Sequence, residues 1–404
     1  MGPVVKPAFL TRSTPAGLDN RLAAFTSGPT HRYKLDRVIR LSFLLTIPLL
    51  AQPVKFREHL VASDQRGGYQ VVVADMNHDG KPDIIALASG LRELAWYENP
   101  GWQKHVIVEG IRQPINVAVV KLDTNRVPVL ALAHEFSPQA KRSIGTVSIL
   151  ENESGDTWKR TDIDKLPSSH RLRMMNGLLV NAPLTNENAE APDYRGGTPL
   201  VFYKPGEWKR SLITRDDDGV VHCIYPFDWD GDGTQQLLTA SFQGVFLIKQ
   251  TKDGQFTRTK LTGGSPEAWP KSGASDVAVG HLGKKRFLAT IEPWHGNEVA
   301  VYTEQKGEWQ REMIDSSLVD GHTLLTGDLD GNGNDVILAG YRGKGASVNL
   351  YRFDGKTWTK SLLDEGGMAG AGCAIADLNG DKKLDIVCIG TSTANVKWYE
   401  NLGK

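Results

Sequence analysis

The stretches VVVADMNHDGKPDIIALAS (71–89) and CAIADLNGDKKLDIVCIG (373–390) share one pattern. In each, an apolar run leads into an acidic turn and a second apolar run follows, which is typical of two short strands joined by a tight hairpin. Between such stretches a second pattern recurs: an aromatic residue, two or three polar or basic residues, then an apolar pair. It begins at seven positions, which are Phe56, Trp102, Trp158, Trp208, Phe256, Trp309 and Trp358.

The length of this repeat decides the fold class. A unit of about 50 residues with several short strands cannot bury its own apolar faces, so it must pack against copies of itself. We therefore predict an all-β fold, a seven-bladed β-propeller of four-stranded blades. The chain enters the repeat with an outer strand (56–61) and leaves it with a third strand (396–401). The last blade should therefore be closed by the N-terminal strand.

The composition is that of a globular protein without a polyanionic partner. The 404 residues include 47 basic and 47 acidic side chains, with no block of like charge. Neither nucleic acid nor an anionic membrane is therefore expected as a partner. The 10 Trp and 42 Gly residues suit a turn-rich all-β protein.

The N-terminal region reads as a targeting segment. Lys34, Arg37 and Arg40 precede the apolar run LSFLLTIPLLA (41–51), which is too short to span a bilayer and typical of a signal peptide. We predict that residues 1–51 are an over-extended start plus signal peptide, and that residues 52–404 form the propeller. The protein would then be exported to the periplasm or the cell exterior and carry no membrane attachment after cleavage. An uncleaved anchor remains the alternative.

The three cysteines are expected to be buried free thiols. If Asp377 and Asp385 flank a hairpin turn, Cys373 and Cys388 lie on adjacent strands but point to opposite faces. A disulfide between them is therefore not expected, and Cys223 also falls inside a strand pattern.

The acidic turns resemble calcium loops. The first reads D-x-N-x-D-G-x-x-D, and oxygen ligands at alternate positions before a glycine can wrap a hard cation. The alternative is that the turns are hairpins closed by their own side-chain hydrogen bonds. Such ions would be structural. The candidate ligands are Asp75, Asn77, Asp79, Asp83, Asp228, Asp230, Asp232, Asp328, Asp330, Asn332, Asp335, Asp377, Asn379, Asp381 and Asp385.

Three histidines occupy one equivalent position in different repeats. His170, His222 and His322 each lie six residues before the first residue of the turn, where the innermost strand begins at the rim of the central channel. Imidazoles that converge on one axis and leave a coordination position open are the ligands of a catalytic metal site. We predict that these three histidines bind zinc or another divalent transition metal.

Further candidates lie on the same face of the predicted propeller. His295 and His134 fall in connections between second and third strands and are candidates for proton transfer, with Tyr69 and Tyr225 as alternates. Side chains that could stack on or hydrogen-bond to a sugar are Arg171, Arg173, Trp269, Trp294, Arg342 and Glu292.

Several segments carry a family resemblance. They are HRLRMMN (170–176), ATIEPWHGNEVAVY (289–302), DGHTLLTGDLDGNG (320–333), AGCAIADLNGD (371–381) and VKWYEN (396–401). The blades resemble the VCBS/FG-GAP repeats of secreted propellers and integrin heads. Residues 54–404 more closely resemble the propeller domain of the aldos-2-ulose dehydratase/isomerase (1,5-anhydro-D-fructose dehydratase) family. Of that family's activities, the resemblance implies only the dehydratase-type elimination.

Together these features favour a secreted carbohydrate-active lyase. It would catalyse metal-assisted β-elimination (dehydration) of a keto-sugar such as 1,5-anhydro-fructose or a 3-keto-glycoside, because a metal that polarises a carbonyl assists proton removal beside it. Its partners would be a small carbohydrate substrate and an upstream sugar oxidoreductase. The alternative is a non-catalytic carbohydrate- or protein-binding propeller, since a fold does not determine a function. The identities of the sugar and the metal stay open.

Overall fold

The computed structural model describes residues 54–123 and 126–404. The predicted signal segment, residues 1–51, lies outside this range. The described residues form 28 strands in seven four-stranded antiparallel sheets, with one short 3-10 helix at Ala140–Arg142. Within this part of the chain, no helix is long and apolar enough to cross a bilayer. The predicted seven-bladed propeller is confirmed.

Each blade is a meander that runs from the channel outwards. Blade one contains β2 (Gly68–Ala74), β3 (Asp83–Ala88), β4 (Glu93–Glu98) and β5 (Gln103–Glu109). Blade two contains β6 (Asn116–Asp123), β7 (Arg126–His134), β8 (Thr146–Ser154) and β9 (Thr157–Lys165). Blade three contains β10 (Ser169–Met175), β11 (Leu178–Pro183), β12 (Gly197–Tyr203) and β13 (Arg210–Asp218). Blade four contains β14 (Val221–Phe227), β15 (Gln236–Ser241), β16 (Gly244–Gln250) and β17 (Phe256–Thr262).

The remaining blades repeat this order. Blade five contains β18 (Asp276–Leu282), β19 (Lys285–Glu292), β20 (Glu298–Gln305) and β21 (Glu308–Asp315). Blade six contains β22 (Gly321–Gly327), β23 (Val336–Tyr341), β24 (Ser347–Phe353) and β25 (Trp358–Glu365). Blade seven contains β26 (Gly370–Ala376), β27 (Asp385–Gly390) and β28 (Val396–Gly403), and its outer strand is β1 (Lys55–Ala62).

The N-terminal strand closes the ring, as predicted. β1 pairs with β28 in an antiparallel register that places Phe56 opposite Asn401 and Leu60 opposite Lys397. The His59 ring stacks on Trp398 with centroids 4.3 Å apart. This pairing covers what would otherwise be an open sheet edge beside β28.

The core consists of apolar layers between neighbouring blades. All six residues of β3 are buried, because a second strand has a sheet neighbour on each side and a blade against each face. Outer strands such as β9 are mostly exposed. Innermost strands of successive blades contact one another around the channel, and β26 contacts β2 to complete the circle.

A β-bulge recurs at the mouth of the channel. In five innermost strands of the described chain the register shifts at the second residue or immediately beside it, and the unpaired residues are Tyr69, His170, His222, His322 and Ala371. A bulge leaves one residue outside the ladder and re-aims its side chain. The position six residues before the acidic turn is therefore special because of its backbone.

Cys373 and Cys388 form a disulfide, so the expectation of free thiols at these two positions is wrong. The ladder pairs Ala376, rather than Asp377, with Asp385, which shifts the register by one residue. Cys373 therefore lies directly opposite Cys388, on the same face, with Cα atoms 4.1 Å apart. Cys223 is a buried free thiol, as expected.

Candidate active site

The bulged residues bring three histidines together at the channel mouth. His170, His222 and His322 are 2%, 1% and 3% exposed. The ring centroid of His222 lies 5.1 Å from that of His170 and 5.2 Å from that of His322. Histidines from blades three, four and six thus share one small region, as their equivalent sequence positions predict.

His295 lies close to His222 and His322 and forms with them a set of three histidines. It lies in the connection between β19 and β20, and its ring centroid is 4.9 Å from His222 and 5.2 Å from His322. One ligand nitrogen from each of His222, His295 and His322 lies within 4.8 Å of the others. The sequence pattern assigns His170 to the metal set and His295 to proton transfer. The structure instead places His295 in the three-nitrogen set and His170 beside it.

Hydrogen bonds from Nδ1 to backbone carbonyls orient two of the three rings of this set, and a carboxylate lies near Nδ1 of the third. His222 Nδ1 lies 3.1 Å from the carbonyl oxygen of Ser275, and His322 Nδ1 lies 2.6 Å from that of Ala371. His295 Nδ1 lies 3.3 Å from a carboxylate oxygen of Asp320. A proton held at Nδ1 of His222 and of His322 leaves their Nε2 atoms with a lone pair for a metal, which is the tautomer found in metal-bound histidines. His295 Nδ1 also lies 3.3 Å from a guanidinium nitrogen of Arg342, which donates.

The Nε2 atoms of the set make few hydrogen bonds to the rest of the protein. Those of His222 and His295 are 3.2 Å apart. That of His322 is buried and makes no hydrogen bond in the described structure. Buried polar atoms are normally satisfied, so an orphaned nitrogen that points into a cluster indicates a missing ligand.

Burial keeps these imidazoles neutral. It lowers the pKa of His222 and of His322 well below the usual histidine value, and the positive charges of Arg171 and Arg342 lower it further. The pKa of His295 is also lowered, chiefly by burial. Neutral imidazole is the form that binds a metal ion.

Asp320, Ser275 and Ala371 hold the rings and were missed by the sequence reasoning. Ser275 and Ala371 occupy the same position, six residues before the turn, in blades five and seven. Extending the histidine alignment to every blade would have found them. Asp320 accepts two hydrogen bonds from Arg342, at 2.9 and 3.1 Å, and the guanidinium also lies 3.3 Å from His295 Nδ1. Arg342, a candidate substrate contact, is therefore already ion-paired at the edge of the cluster.

Tyr69 forms a polar contact network with His170 and Arg171. Its hydroxyl oxygen lies 2.7 Å from His170 Nε2 and accepts a hydrogen bond of 3.0 Å from Arg171 Nη1. The Tyr69 ring meets His322 edge-on with centroids 5.0 Å apart. Burial lowers the pKa of His170 well below its usual value. The Tyr69 hydroxyl, in contact with the neutral His170 imidazole, thus lies beside the set of His222, His295 and His322.

Deeper in the channel lies Arg173, which donates to the Asn116 side chain and to the Leu172 carbonyl. At the rim, Trp294 lies against His295 with centroids 4.8 Å apart. Trp294 also packs on Tyr194 and Phe242, at 5.6 and 5.7 Å. An aromatic wall therefore adjoins the histidines on one side.

Trp269 belongs to the outer part of this wall. Its ring packs edge-on against Phe242 at 5.1 Å, and the Arg195 guanidinium covers it at 3.8 Å. The Trp269 indole donates to the Asp193 carbonyl. One ring face is thus already occupied by a side chain of the protein.

Three sequence candidates have contacts away from the cluster. His134 Nε2 lies 2.8 Å from the Ser148 hydroxyl inside blade two, and burial lowers its pKa. Glu292 is buried in blade five, where it accepts hydrogen bonds from Tyr302, Thr290 and Arg311. Tyr225 packs within an apolar cluster beside Phe227.

The acidic turns lie at the opposite end of the innermost strands. Asp75 accepts backbone N–H bonds from His78 and Gly80, at 2.7 and 3.0 Å. Asp83 is the last acidic residue of the first turn, and each of its carboxylate oxygens accepts a backbone N–H bond. Burial raises the pKa of Asp83 to about 6.

Basic side chains also pair with these turns. The pairs are Asp79 with Lys81, Asp230 with Lys249, Asp330 with Arg352 and Asp381 with Lys383. Hydrogen bonds and ion pairs of the protein therefore engage many of the oxygens that the sequence pattern assigns to calcium.

Comparisons with known proteins place these features in context. Residues 144–305 match the model of the aldos-2-ulose dehydratase β-propeller domain, and residues 328–388 match that of the FG-GAP-like repeat. Aldos-2-ulose dehydratase of Phanerodontia chrysosporium is 29% identical over 238 residues, which cover 49% of this chain. The match spans 26% of that protein's length.

Solved structures show likeness in fold alone. The BBS1N chain from a complex with ARL6DN has a TM-score of 0.56 at 13% identity, covering 87% of this chain and 98% of that one. The extracellular domain of the putative hybrid two-component system BT4673 from B. thetaiotaomicron has a TM-score of 0.52 at 13% identity, covering 86% and 39%. The chain is a seven-bladed β-propeller that contains an FG-GAP-like repeat at residues 328–388 and resembles the propeller domain of aldos-2-ulose dehydratase.

Proposed function

We propose that this protein is a carbohydrate-active lyase that catalyses metal-assisted β-elimination (dehydration) of a keto-sugar such as 1,5-anhydro-fructose or a 3-keto-glycoside. His222, His295 and His322 would hold zinc or another divalent transition metal. The observation that carries the proposal is the convergence of one ring nitrogen from each of three imidazoles within 4.8 Å, with Nδ1 of His222 and of His322 bonded to backbone carbonyls. The similarity to aldos-2-ulose dehydratase supports the same class of reaction.

The spacing of the His222 and His295 nitrogens suits a metal ion. With zinc–nitrogen bonds of about 2.0–2.1 Å, tetrahedral geometry separates two ligand nitrogens by about 3.3–3.4 Å. The Nε2 atoms of His222 and His295 are 3.2 Å apart. This spacing would let both nitrogens bind one cation. Three protein ligands leave a position for a substrate oxygen, as in catalytic rather than structural sites.

The reaction needs a group that removes a proton beside the carbonyl. Of the four candidates from the sequence, Tyr69 has suitable contacts, because its hydroxyl borders the three-nitrogen set and lies 2.7 Å from His170 Nε2. Tyr69 would accept the carbon-bound proton as its own hydroxyl proton passes to His170. Arg171 holds the phenolic oxygen in place from the other side. When bound, the metal would polarise the carbonyl and stabilise the negative charge that develops on it.

The proposal also covers the source of the substrate and the location of the protein. A keto-sugar arises by oxidation of a sugar alcohol group, so an upstream sugar oxidoreductase would supply the substrate. The charged N-terminal segment with its apolar run supports export to the periplasm or the cell exterior.

Elimination can be tested directly with a keto-sugar. The zinc-loaded protein should convert 1,5-anhydro-fructose or a 3-keto-glycoside to an unsaturated product that absorbs in the ultraviolet. His222→Ala should abolish this activity, whereas the matched control His281→Ala should retain it, because His281 lies beside an acidic turn at the other end of the channel. A wild-type protein that binds the metal but eliminates neither substrate would contradict the proposal.

A further inference from the structure

The channel beside the histidine cluster contains two arginines without acidic partners. Arg171 is 8% exposed, and its three contacts are the His222 carbonyl at 3.0 Å, the Tyr69 hydroxyl at 3.0 Å and His222 Nε2 at 3.3 Å. Arg173 contacts a side-chain amide and a carbonyl. In the described part of the chain, neither guanidinium has a carboxylate oxygen within ion-pair distance.

The third arginine at the cluster provides a comparison. Arg342 is paired with Asp320 through two nitrogens, so its charge is balanced within the protein. Burying a guanidinium without an anion is unfavourable, and such groups are retained mainly where function needs them. Arg171 therefore differs from Arg342 in having no ion-paired carboxylate. Asp276 of β18 lies near enough to act on both Arg171 and Arg173, but its single charge balances only one of the two guanidinium groups.

The proposed metal makes the imbalance larger. The Arg171 Nη2 atom lies 3.3 Å from the same His222 nitrogen that would bind the cation. Two positive groups this close repel each other unless an anion lies near both. The charge of Asp276 and one negative charge that develops on a carbonyl oxygen during elimination cannot together balance a divalent metal and two guanidinium groups. The site therefore has positive charge to spare for a permanent anion on the substrate.

We propose that the sugar bound at the histidine cluster carries a carboxylate, as in a uronate or a keto-aldonate, and that Arg171 binds this carboxylate. The inference rests on the proposed function and adds the substrate class. Arginine matches the planar geometry of a carboxylate, and Nη1 and Nη2 each keep an N–H that the protein contacts do not use.

The reaction stays balanced with such a substrate. The C–H electron pair forms the carbon–carbon double bond as the proton moves to Tyr69, and the C–O bond breaks with its pair on oxygen. That oxygen takes up a proton and leaves as water or an alcohol. The carboxylate keeps its charge throughout, and neither an oxidant nor a reductant is needed.

Binding of two matched sugars tests the inference without turnover. Titration calorimetry of the zinc-loaded full chain would compare methyl β-D-glucuronide with methyl β-D-glucoside, which differ in one carboxylate. The glucuronide should bind about tenfold more tightly or better, the effect of one charge-assisted contact. Higher salt should weaken glucuronide binding alone. Equal affinities of the wild-type protein for the two sugars would overturn the inference.

Variants assign the preference to Arg171. Arg171→Gln should remove it, and Arg171→Lys should retain part of it as a point charge. Arg57→Gln is the matched control, because Arg57 is exposed on the outer strand β1. If Arg171→Gln keeps the full preference, another group binds the carboxylate and the assignment fails. Elimination of a neutral keto-sugar with no preference for the glucuronide would reject this inference and leave the proposed function standing. A carboxylate preference in a protein that binds no metal would support the anionic ligand and reject the proposed metal-assisted function.

Discussion

Replacing Tyr69 by Phe separates proton transfer from metal binding at the candidate site. The change deletes one oxygen atom, which is 2.7 Å from His170 Nε2 and 3.0 Å from Arg171 Nη1. The ring remains and can keep its edge-on contact with His322 at 5.0 Å. No ligand nitrogen of the His222, His295 and His322 set is touched.

Two magnitudes follow from this geometry. Loss of a proton-transfer group typically slows turnover about 10²–10⁴-fold, which corresponds to about 3–5 kcal/mol in the activation free energy. Stability should fall by about 1–3 kcal/mol, because the mutation leaves buried polar partners on His170 and Arg171 unsatisfied. Metal content should not change.

The assay combines three measurements on the same preparation: metal content by mass spectrometry, melting temperature, and ultraviolet absorbance of the elimination product. His281→Phe is the control for introducing a phenylalanine, because His281 is half-exposed and lies near an acidic turn. A Tyr69→Phe protein that binds metal and turns over within about threefold of wild type, well below the usual effect of a proton-transfer group, would refute the role of Tyr69.

Three other predictions concern closure, the acidic turns and acid stability. Deleting residues 52–62 should abolish soluble folding, because β28 would become an open edge; a truncated protein with an unchanged melting temperature would contradict the closure. Calcium chelation should lower the melting temperature, and Asp79→Ala should remove part of that response without affecting elimination; if neither calcium nor chelator shifts the melting curve, the turns are held by their own hydrogen bonds alone. His134 has a lowered pKa in the folded state, so the folded protein binds fewer protons than the unfolded chain and loses stability as pH falls below about 6.5. His134→Gln should therefore lose less stability between pH 7 and pH 4 than wild type, with activity retained; an unchanged acid profile would show that His134 does not contribute.

The fold was predictable because the repeat appears in the sequence seven times. A unit of about 50 residues that cannot bury its own faces leaves few architectures. The strand at 56–61 and the strand at 396–401 predicted the composite blade, and β1 pairs with β28 as expected. The local pattern of apolar residues was therefore sufficient to predict the blades and the closure of the ring.

Register was harder to predict. The sequence interpretation paired Asp377 with Asp385, whereas the structure pairs Ala376 with Asp385. This one-residue difference puts Cys373 and Cys388 on the same face instead of on opposite faces. Side chains in a strand alternate between faces, so a one-residue error changes every such inference. The turn residues alone do not specify that register.

The candidate site was predictable in part. Equivalent repeat positions indicated His170, His222 and His322, and the bulges explain why that position points into the channel. The place of His295 in the closest set depends on the path of the β19–β20 connection, which no repeat pattern encodes. His134 occupies a similar place at a strand end, yet its ring points into its own blade towards Ser148.

Metal stoichiometry of the purified protein and four histidine variants tests the central claim most directly. We predict one divalent transition metal per wild-type chain. His222→Ala, His295→Ala and His322→Ala should each lose it, and His170→Ala should keep it. A wild-type protein with no bound transition metal after reconstitution, or one whose metal depends on His170 but not on His295, would contradict the account.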